Sequence, residues 1–423
     1  MQKTVVLFFI TLCLCACQES APLNGRVKIE TIDGQARFTV AGEAYSIKGL
    51  SGSSYLKEAA LIGANTIRTY DTTNLQSVLD SAHKFGLMVV AGIWLPKSNQ
   101  KWLYENDEQT EKLSSELAAI GRKYSQHPAL LSWCLGNELV FYNLYDLSFS
   151  RTYNILLDSL RLNDPNHPVG TAFANFGQKA ALNFALKIKD LDYLIINTFG
   201  RLPELSEDMA SLESLFSKPF LIGEFGENGP WETNWTSWGA PIEPKSSEKV
   251  EVLKKRFSEL PKEHPQYLGA LVFNWGWRQE QTHTWFNVFS EKGEKNALYY
   301  YLAEKYGHPQ KGGAPLIGNL RIDGENEANQ FWFETNDLHQ ASLEMDSIKR
   351  KKLNIKWSLR SEDWYFLKAD TPPALPGLIQ VSEDSRKISF KCPSKPGPYR
   401  LFVKVTDSLG NFASANLPFY VVQ

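Results

Sequence analysis

Strand-like and helix-like segments alternate from about residue 45 to residue 308, and no other feature constrains the fold of this chain as strongly. Such alternation is typical of a parallel sheet covered by helices. The eight strand-like segments are Ser46–Leu50, Asn65–Tyr70, Leu87–Ile93, Leu130–Leu135, Val169–Phe173, Tyr193–Asn197, Phe220–Gly223 and Leu268–Phe273. Eight strand–helix units predict a (β/α)8 TIM barrel, an α/β fold. An open doubly wound sheet is the alternative, but no glycine-rich phosphate loop follows the first strand.

Shorter β-structure is predicted on either side of the barrel. Residues 26–45 have the pattern of a hairpin with a turn at Asp33-Gly34, which we expect to close the bottom of the barrel. Hairpin and barrel together are assigned to residues 26–310. After a linker at 311–315 the segments become short and alternating. This pattern predicts a small immunoglobulin-like β-sandwich over residues 316–423.

The composition narrows the class of partner. The formal net charge is −2, so there is no electrostatic basis for binding nucleic acid. The Cys and His residues show no metal-ligand spacing, and we expect neither a metal nor another cofactor. Cys134 and Cys392 fall in different predicted domains, so we expect no disulfide between them. The 12 tryptophans are a surplus of the kind that sugar-binding clefts or large aromatic cores consume.

The first 16 residues are predicted to be a targeting segment. Their apolar stretch is too short to span a bilayer, so we do not interpret it as a transmembrane helix. The sequence Leu14-Cys15-Ala16-Cys17 resembles a bacterial lipoprotein processing box. The resemblance implies that Cys17 becomes the lipidated first residue and that residues 17–25 form a tether to the membrane. Gln18, rather than Asp, implies the outer membrane, and hence a location in the cell envelope. An ordinary secretory signal is the alternative.

Polar side chains stand where the predicted strands end, which is where barrel enzymes place their active sites. Two apolar segments lead into Glu138 and Glu224. Two carboxylates across one pocket are what the hydrolysis of a glycosidic bond requires. The other candidates are Arg68 and Tyr70 at strand 2, Trp94 after strand 3, Asn137 after strand 4, Asn197 at strand 6, Trp231 on the loop after strand 7 and Trp275 after strand 8.

Two motifs at these strand ends resemble the clan A glycoside hydrolases, most closely the TIM-barrel module of family 2. They are Trp-x-x-Gly-Asn-Glu at residues 133–138 and Glu-Phe-Gly at residues 224–226. The resemblance covers about residues 45–308 and includes the segment Gly-Ala-Asn-Thr-Ile-Arg-Thr-Tyr at residues 63–70. Taken together the motifs are specific, whereas Gly-Asn-Glu alone is a weak signal.

The resemblance implies a role for each matching residue. Glu138 would be the general acid and base, and Glu224 the nucleophile of a retaining mechanism, in which the two carboxyl groups lie about 5–5.5 Å apart. Arg68 would lie beside the nucleophile and keep it ionised. Asn137 would bind the 2-hydroxyl of the sugar, and Trp275 would lie under the sugar in subsite −1.

The chain departs from the clan at Phe199. A Tyr or His usually follows strand 6 there and donates a hydrogen bond to the nucleophile. Phenylalanine cannot make this bond. Either Tyr70 or another residue replaces it, or the nucleophile is supported differently.

Tryptophans also cluster on the loop after strand 7, where Trp231, Trp235 and Trp238 lie within eight positions. So many large rings on one loop are hard to bury, and beside an active site an exposed tryptophan is typically a surface for stacking on sugars. The alternative is that these tryptophans only pin the loop to the barrel. For the C-terminal sandwich we expect the role of a structural spacer.

The expected function is retaining hydrolysis of a β-linked oligo- or polysaccharide by double displacement. Family 2 enzymes that act on lactose or glucuronides carry sandwich domains before the barrel, whereas here one sandwich follows it. The immunoglobulin-like tail resembles that of some bacterial endo-β-1,3-glucanases, which favours a β-1,3-glucan. A transglycosylase on the same glycans and a catalytically weak, glycan-binding lipoprotein are the alternatives. The sequence does not specify the oligomeric state.

Overall fold

The computed structural model describes residues 27–140, 147–189, 191–210, 217–346, 353–362 and 371–423. The predicted targeting segment, the tether and Cys17 lie outside the described residues. Over the ranges just given, no helix is both long enough and apolar enough to cross a bilayer.

A small antiparallel sheet opens the described chain, as the hairpin pattern predicts. Its strands are β1 (Val27–Ile32), β2 (Gln35–Val40) and β3 (Glu43–Tyr45). Phe38 is buried against Tyr193, with ring centroids 5.5 Å apart, and the backbone N–H of Ala36 donates to the carbonyl oxygen of Pro265 at 2.7 Å. The sheet therefore covers the end of the barrel opposite the strand C-termini, as expected.

Eight parallel strands close into a barrel, which confirms the predicted TIM barrel. They are β4 (Gly49–Ser51), β5 (Thr66–Arg68), β6 (Met88–Ile93), β7 (Leu130–Leu135), β8 (Val169–Ala174), β9 (Tyr193–Asn197), β10 (Phe220–Phe225) and β11 (Tyr267–Phe273), in the order β10-β11-β4-β5-β6-β7-β8-β9. The α-helices are α1 (Leu56–Leu61), α2 (Leu75–Lys84), α3 (Lys101–Tyr104), α4 (Asp107–Tyr124), α5 (Leu147–Asn163), α6 (Gln178–Lys187), α7 (Leu205–Ala210), α8 (Ser246–Glu259) and α9 (Ala297–Lys305).

The strands are mostly apolar because both of their faces are buried. Leu131, Ile195 and Leu221 belong to the core inside the barrel. Leu130 and Ile222, each one position along the chain from those residues, belong to the layer that the helices cover. Side chains of consecutive strand residues point to opposite faces, so a strand of this kind has few polar positions before its end. This is why polar residues gather at the mouth.

A β domain follows the barrel, as the sequence predicts. Its strands are β12 (Ile317–Ile322), β13 (Trp332–Glu334), β14 (Leu338–Met345), β15 (Leu353–Ser361), β16 (Ile379–Val381), β17 (Lys387–Lys391), β18 (Gly397–Asp407) and β19 (Phe412–Val422). They form two four-stranded sheets, β12-β14-β17-β16 and β13-β19-β18-β15, which share a separate apolar core. The immunoglobulin-like character of the domain stays a prediction. Cys134 and Cys392 are both buried and free.

The loop after β10, residues 226–245, connects the barrel with the β domain, and we call it the bridging loop. The backbone N–H of Ser237 donates to the side chain of Asn329 at 2.9 Å. Arg400, which is buried in the β domain, donates to the carbonyl oxygen of Pro241 at 2.7 Å. These bonds fix the bridging loop, which follows the strand that carries Glu224, to the β domain.

Candidate active site

The polar residues predicted at the strand ends meet at the mouth of the barrel. Arg68 is the last residue of β5 and Asn197 the last of β9, on opposite sides of the closed sheet. Glu224 lies in β10, in register with Asn197, and Asn137 and Glu138 come just after β7. The closure of the barrel brings together residues that lie far apart in the chain.

The side-chain amide of Asn197 links the two glutamates. Its Nδ2 is 2.8 Å from Oε1 of Glu224 and 2.9 Å from Oε1 of Glu138. It also lies 3.3 Å from Oδ1 of Asn137. The two glutamate oxygens therefore cannot be farther apart than the sum of the first two distances. That limit is close to the spacing of about 5–5.5 Å in retaining glycosidases and below the roughly 6.5–9.5 Å of inverting ones.

Arg68 is buried beneath these residues and fixes their positions. Its Nη1 donates to Oδ1 of Asn197 at 2.8 Å and to Oε1 of Glu224 at 3.3 Å. Its Nη2 donates to Oδ1 of Asn137 at 2.7 Å. The guanidinium carbon lies 4.9 Å from the centroid of the Tyr70 ring. Arg68 thus stands beside Glu224, where the resemblance places it, and also orients both asparagines.

The pKa of Glu224 differs from the sequence-based expectation. We expected Arg68 to keep this carboxylate ionised, but burial raises the pKa of Glu224 to about 7. Arg68 lowers the pKa, and the nearby charge of Glu138 raises it further. Burial removes the carboxylate from water, which disfavours its charged form, and a single arginine shared with two asparagines does not offset this cost. At neutral pH the residue is therefore poised between its two protonation states.

A sharp turn after β7 aims Glu138 at the mouth of the barrel. Gly136 and Glu138 both have left-handed backbone conformations, with φ of 82° and 51°. A Cβ on Gly136 would lie 2.4 Å from Cδ1 of Leu139, so the turn requires glycine there. A left-handed conformation at a glutamate costs roughly 1–2 kcal/mol, and strain of this kind clusters at functional sites.

Phe199 lies in an apolar cluster with Phe273, Trp285 and Phe286, and Tyr70 packs against this cluster. The ring of Phe199 makes no polar contact with the nucleophile candidate. Asn197, two residues earlier, donates to Glu224 instead. Tyr70 lies close enough to Glu224 to affect its pKa, but its buried hydroxyl has no hydrogen-bond partner among the described residues. Of the alternatives that the sequence left open, the hydrogen bonds therefore favour Asn197.

The prediction for Trp275 is wrong. Its side chain is only 1% exposed and packs against Phe289 and Tyr299, with ring centroids 4.9 and 5.9 Å away. Its indole N–H donates to the carbonyl oxygen of Tyr55 at 3.3 Å. The chain turns after β11 so that this ring enters the wall of the barrel. It therefore cannot stack on a sugar.

Trp94 and Trp231, in contrast, are exposed at the mouth. The exposed fractions of their side chains are 60% and 55%. Trp94 directly follows β6 and Trp231 lies in the bridging loop after β10, and these strands stand opposite each other in the barrel. A Cβ on Gly229 would approach three ring atoms of Trp231 within 2.4–2.8 Å, so one face of the indole lies against this glycine. About half of the Trp231 side chain remains exposed to solvent.

A third carboxylate lies near the two glutamates. Glu280, on the loop after β11, is paired with Nε of Arg278 at 2.9 Å. Burial and the charge of Glu138 raise the pKa of Glu280, and Glu280 in turn raises the pKa of Glu224. No local sequence signal reveals that Glu280 lies near the two glutamates, because only the fold of the whole barrel brings its loop to the mouth. Within the described ranges, no cluster of three or more His, Cys, Asp or Glu side chains could hold a metal ion.

Solved structures share this architecture at low sequence identity. A Bacteroides fragilis protein assigned as a beta-galactosidase matches with a TM-score of 0.50 and 14% identity, over 93% of this chain and 57% of its own. Beta-glucuronidases of Dictyoglomus thermophilum and Ruminococcus gnavus match with TM-scores of 0.50 and 0.51, identities of 16% and 13%, 67% of this chain in both cases, and 54% and 53% of their own.

This chain thus spans little more than half the length of those proteins. No protein-family model and no curated protein matches the sequence. At such identities the comparisons establish only that this chain shares its fold with a protein assigned as a beta-galactosidase and with beta-glucuronidases.

Proposed function

We propose that this protein is a retaining glycoside hydrolase that cleaves a β-linked oligo- or polysaccharide. The observation that carries the proposal is the amide of Asn197, which lies within hydrogen-bonding distance of both Glu138 and Glu224. Carboxylates this close leave no room for the water that an inverting enzyme places between sugar and base. The similarity of the fold to a protein assigned as a beta-galactosidase and to beta-glucuronidases supports the same chemistry.

In the first step an oxygen of Glu224 bonds to the anomeric carbon while the bond from that carbon to the leaving oxygen breaks. Glu138 gives its proton to the leaving oxygen. In the second step Glu138, now a carboxylate, takes a proton from the water that attacks the anomeric carbon, and Glu224 is released. Arg68 and Asn197 hold the attacking oxygen in place. The amide of Asn137 would bind the 2-hydroxyl.

The first test is the stereochemistry of the product. In proton NMR of a cleaved β-glycoside, we expect the β-anomer to appear first and to convert slowly to the equilibrium mixture. Double displacement inverts the anomeric carbon twice and so retains its configuration. An α-anomer as the first product would refute the mechanism. Oligosaccharides longer than the substrate would identify transglycosylation.

The proposed substrate is a neutral glycan, with a β-1,3-glucan favoured by the resemblance of the C-terminal domain. Glu138, Glu224 and Glu280 place three carboxyl groups near the reacting centre, and Arg278 is already paired with Glu280. A uronic acid would bring a further negative charge close to these carboxyl groups, and the repulsion would raise the free energy cost of binding it. Aryl β-glucosides and β-galactosides are therefore expected to be better substrates than the corresponding β-glucuronide, measured as kcat/KM.

The pH dependence follows from the pKa of Glu224. Below about pH 7 the buried carboxyl is protonated and cannot attack, so kcat/KM should rise with pH through an apparent pKa near that value. Glu280→Gln removes a charge that raises this pKa and should shift the acid limb to lower pH. Glu304→Gln, at an exposed position of α9, is the matched control and should leave the limb in place. An upward shift in Glu280→Gln would contradict the assignment.

We also propose that the protein is anchored in the cell envelope through a lipid on Cys17. The sequence Leu14-Cys15-Ala16-Cys17 supports this. The full-length chain should fractionate with membranes and the Cys17→Ala variant should not. Equal amounts of both in the soluble fraction would rule out the anchor.

A further inference from the structure

Three exposed tryptophans lie in the bridging loop or on the strand of the β domain that packs against it. Among the described residues those with large exposed side chains are Trp94, Trp102, Trp231, Trp235 and Trp332. Burying such a ring is strongly favourable, so a group of exposed ones marks a surface that binds something. Trp94 and Trp102 follow β6. Trp231 and Trp235 lie in the bridging loop, and Trp332 lies across from it on β13 of the β domain.

Trp231 and Trp332 belong to two separate groups of packed rings, and Trp235 lies between these groups in the sequence of the bridging loop. Trp231 contacts Phe199 and Phe286, with centroids 6.0 and 6.3 Å away, beside the catalytic candidates. Trp235 comes next in a short hairpin, where it pairs with Pro241. Trp238, near the tip of the hairpin, packs edge-on against Trp332 at 5.1 Å. Trp332 and Tyr420 then lie side by side on paired strands of the β domain, 5.1 Å apart.

Hydrogen bonds hold the bridging loop, and with it the tryptophans that it carries, in place. Glu232 accepts from the backbone N–H of Gly200 at 2.8 Å, which fixes the loop to the end of β9. At the other end, the bond between Ser237 and Asn329 fixes the hairpin to the β domain. A surface held in this way loses little conformational freedom when it binds a ligand.

The chemistry of the surface fits a carbohydrate. A pyranose ring has an apolar face of C–H groups, which stacks on an aromatic ring, and polar hydroxyls around its edge. Here the exposed rings alternate with polar residues such as Thr233, Asn234 and Ser237, whereas the core of a protein interface is more continuously apolar. Trp231 packs beside the candidate active site, so a glycan chain that leaves the cleft there and follows the bridging loop would reach Trp332.

We propose that Trp231, Trp235, Trp238, Trp332 and Tyr420, which we call the aromatic strip, bind a glycan chain that extends from the cleft onto the β domain. The β domain is then part of the substrate site and not only a spacer, and the substrate is a polymer that occupies several subsites. The inference rests on the proposed function, which supplies the glycan at the cleft.

The test measures binding of polysaccharides to the full chain in its Glu224→Gln form, by retardation in native gels that contain laminarin, mixed-linkage β-glucan, β-mannan or β-galactan. Trp235→Ala and Trp332→Ala should each weaken retardation by about three- to tenfold, as expected for the loss of one ring contact. Leu338→Ala, at a position of the β domain that is 75% exposed, is the matched control and should have no effect. Thermal unfolding of all variants checks that they fold.

Hydrolysis separates this inference from the proposed function. With Glu224 intact, Trp332→Ala should raise KM for the polysaccharide and leave kcat/KM for an aryl β-glycoside within twofold. Hydrolysis of aryl glycosides with no retardation by any polymer would refute the strip and leave the proposed function standing. Retardation by a polymer that Trp332→Ala abolishes, together with no hydrolysis by any variant, would support the aromatic strip and refute the proposed function. A dimer that Trp332→Ala dissociates would assign the surface to a second copy and refute the inference.

Discussion

Replacing Glu224 with glutamine is expected to lower kcat for an aryl β-glycoside by at least about 10⁴-fold, because the reaction loses its nucleophile. Glutamine keeps the size of the side chain and can still bond Arg68, so the loss should not come from unfolding. Glu227→Gln is the matched control. Glu227 is buried in the bridging loop that follows Glu224, 3.5 Å from Nζ of Lys249. Burial raises the pKa of Glu227 to about 8. It is therefore mostly protonated at neutral pH, where glutamine resembles it, and activity should be retained.

Azide tells the two glutamates apart. In Glu224→Ala, azide can enter the space of the lost carboxylate, bond to the anomeric carbon and displace the activated aryloxide, which gives an α-glycosyl azide. In Glu138→Ala the glycosyl–enzyme bond still forms on Glu224, and azide then displaces that carboxylate to give the β-glycosyl azide. The opposite pairing of variant and product would exchange the two roles. Full turnover by Glu224→Gln without azide would remove it from the chemistry altogether.

Replacing Arg68 with methionine is expected to lower the free energy of unfolding by about 3 kcal/mol at pH 8, since it leaves a buried carboxylate without its partner. It also leaves Asn137 and Asn197 without their donor. Arg68 lowers the pKa of Glu224, so this pKa should rise in the variant and activity at neutral pH should fall sharply.

The destabilisation should depend on pH in a defined direction. The pKa of Glu224 in the folded protein is raised to about 7, so its carboxyl is neutral below that pH and has less need of Arg68. Denaturant unfolding should show a smaller difference between Arg68→Met and the parent at pH 5.5 than at pH 8. Arg321→Met, which breaks an ion pair with Glu344 on the surface, should leave stability unchanged at both values. A larger difference at low pH would contradict the proposed pairing.

The fold could be predicted because a buried parallel strand is a short apolar run, and all eight such runs form strands of the barrel. The polar candidates could be predicted for a related reason. A closed barrel brings the ends of its strands to one mouth, so Arg68, Asn137, Glu138, Asn197 and Glu224 meet although up to 156 positions separate two of them. Their chemical roles follow from the resemblance and await the experiments above.

The rest could not be predicted because it depends on directions and burial beyond the strand ends. Trp275 lies two residues past β11, and whether its ring faces the mouth or the wall is decided by the backbone of the loop. The pKa of Glu224 depends on how completely other segments cover it. Glu280 lies on a loop that folds back toward the mouth, and the aromatic strip combines the bridging loop with strands β13 and β19. The cluster of tryptophans on the loop could be read from the sequence, but no local pattern encodes which strands that loop meets.

The amide of Asn197 has a consequence for what the site selects. An NH2 group has two hydrogens, yet its nitrogen lies near three acceptor oxygens, those of Asn137, Glu138 and Glu224. Arg68 also donates to Asn137 and Glu224, so among the described residues the amide of Asn197 is the only side-chain donor to Glu138. Under the proposed function, a sugar hydroxyl beside Glu138 would add a second donor, whereas a substituent that only accepts, such as fluorine, would not. We therefore expect the site to prefer a hydroxyl over fluorine at that position of the substrate.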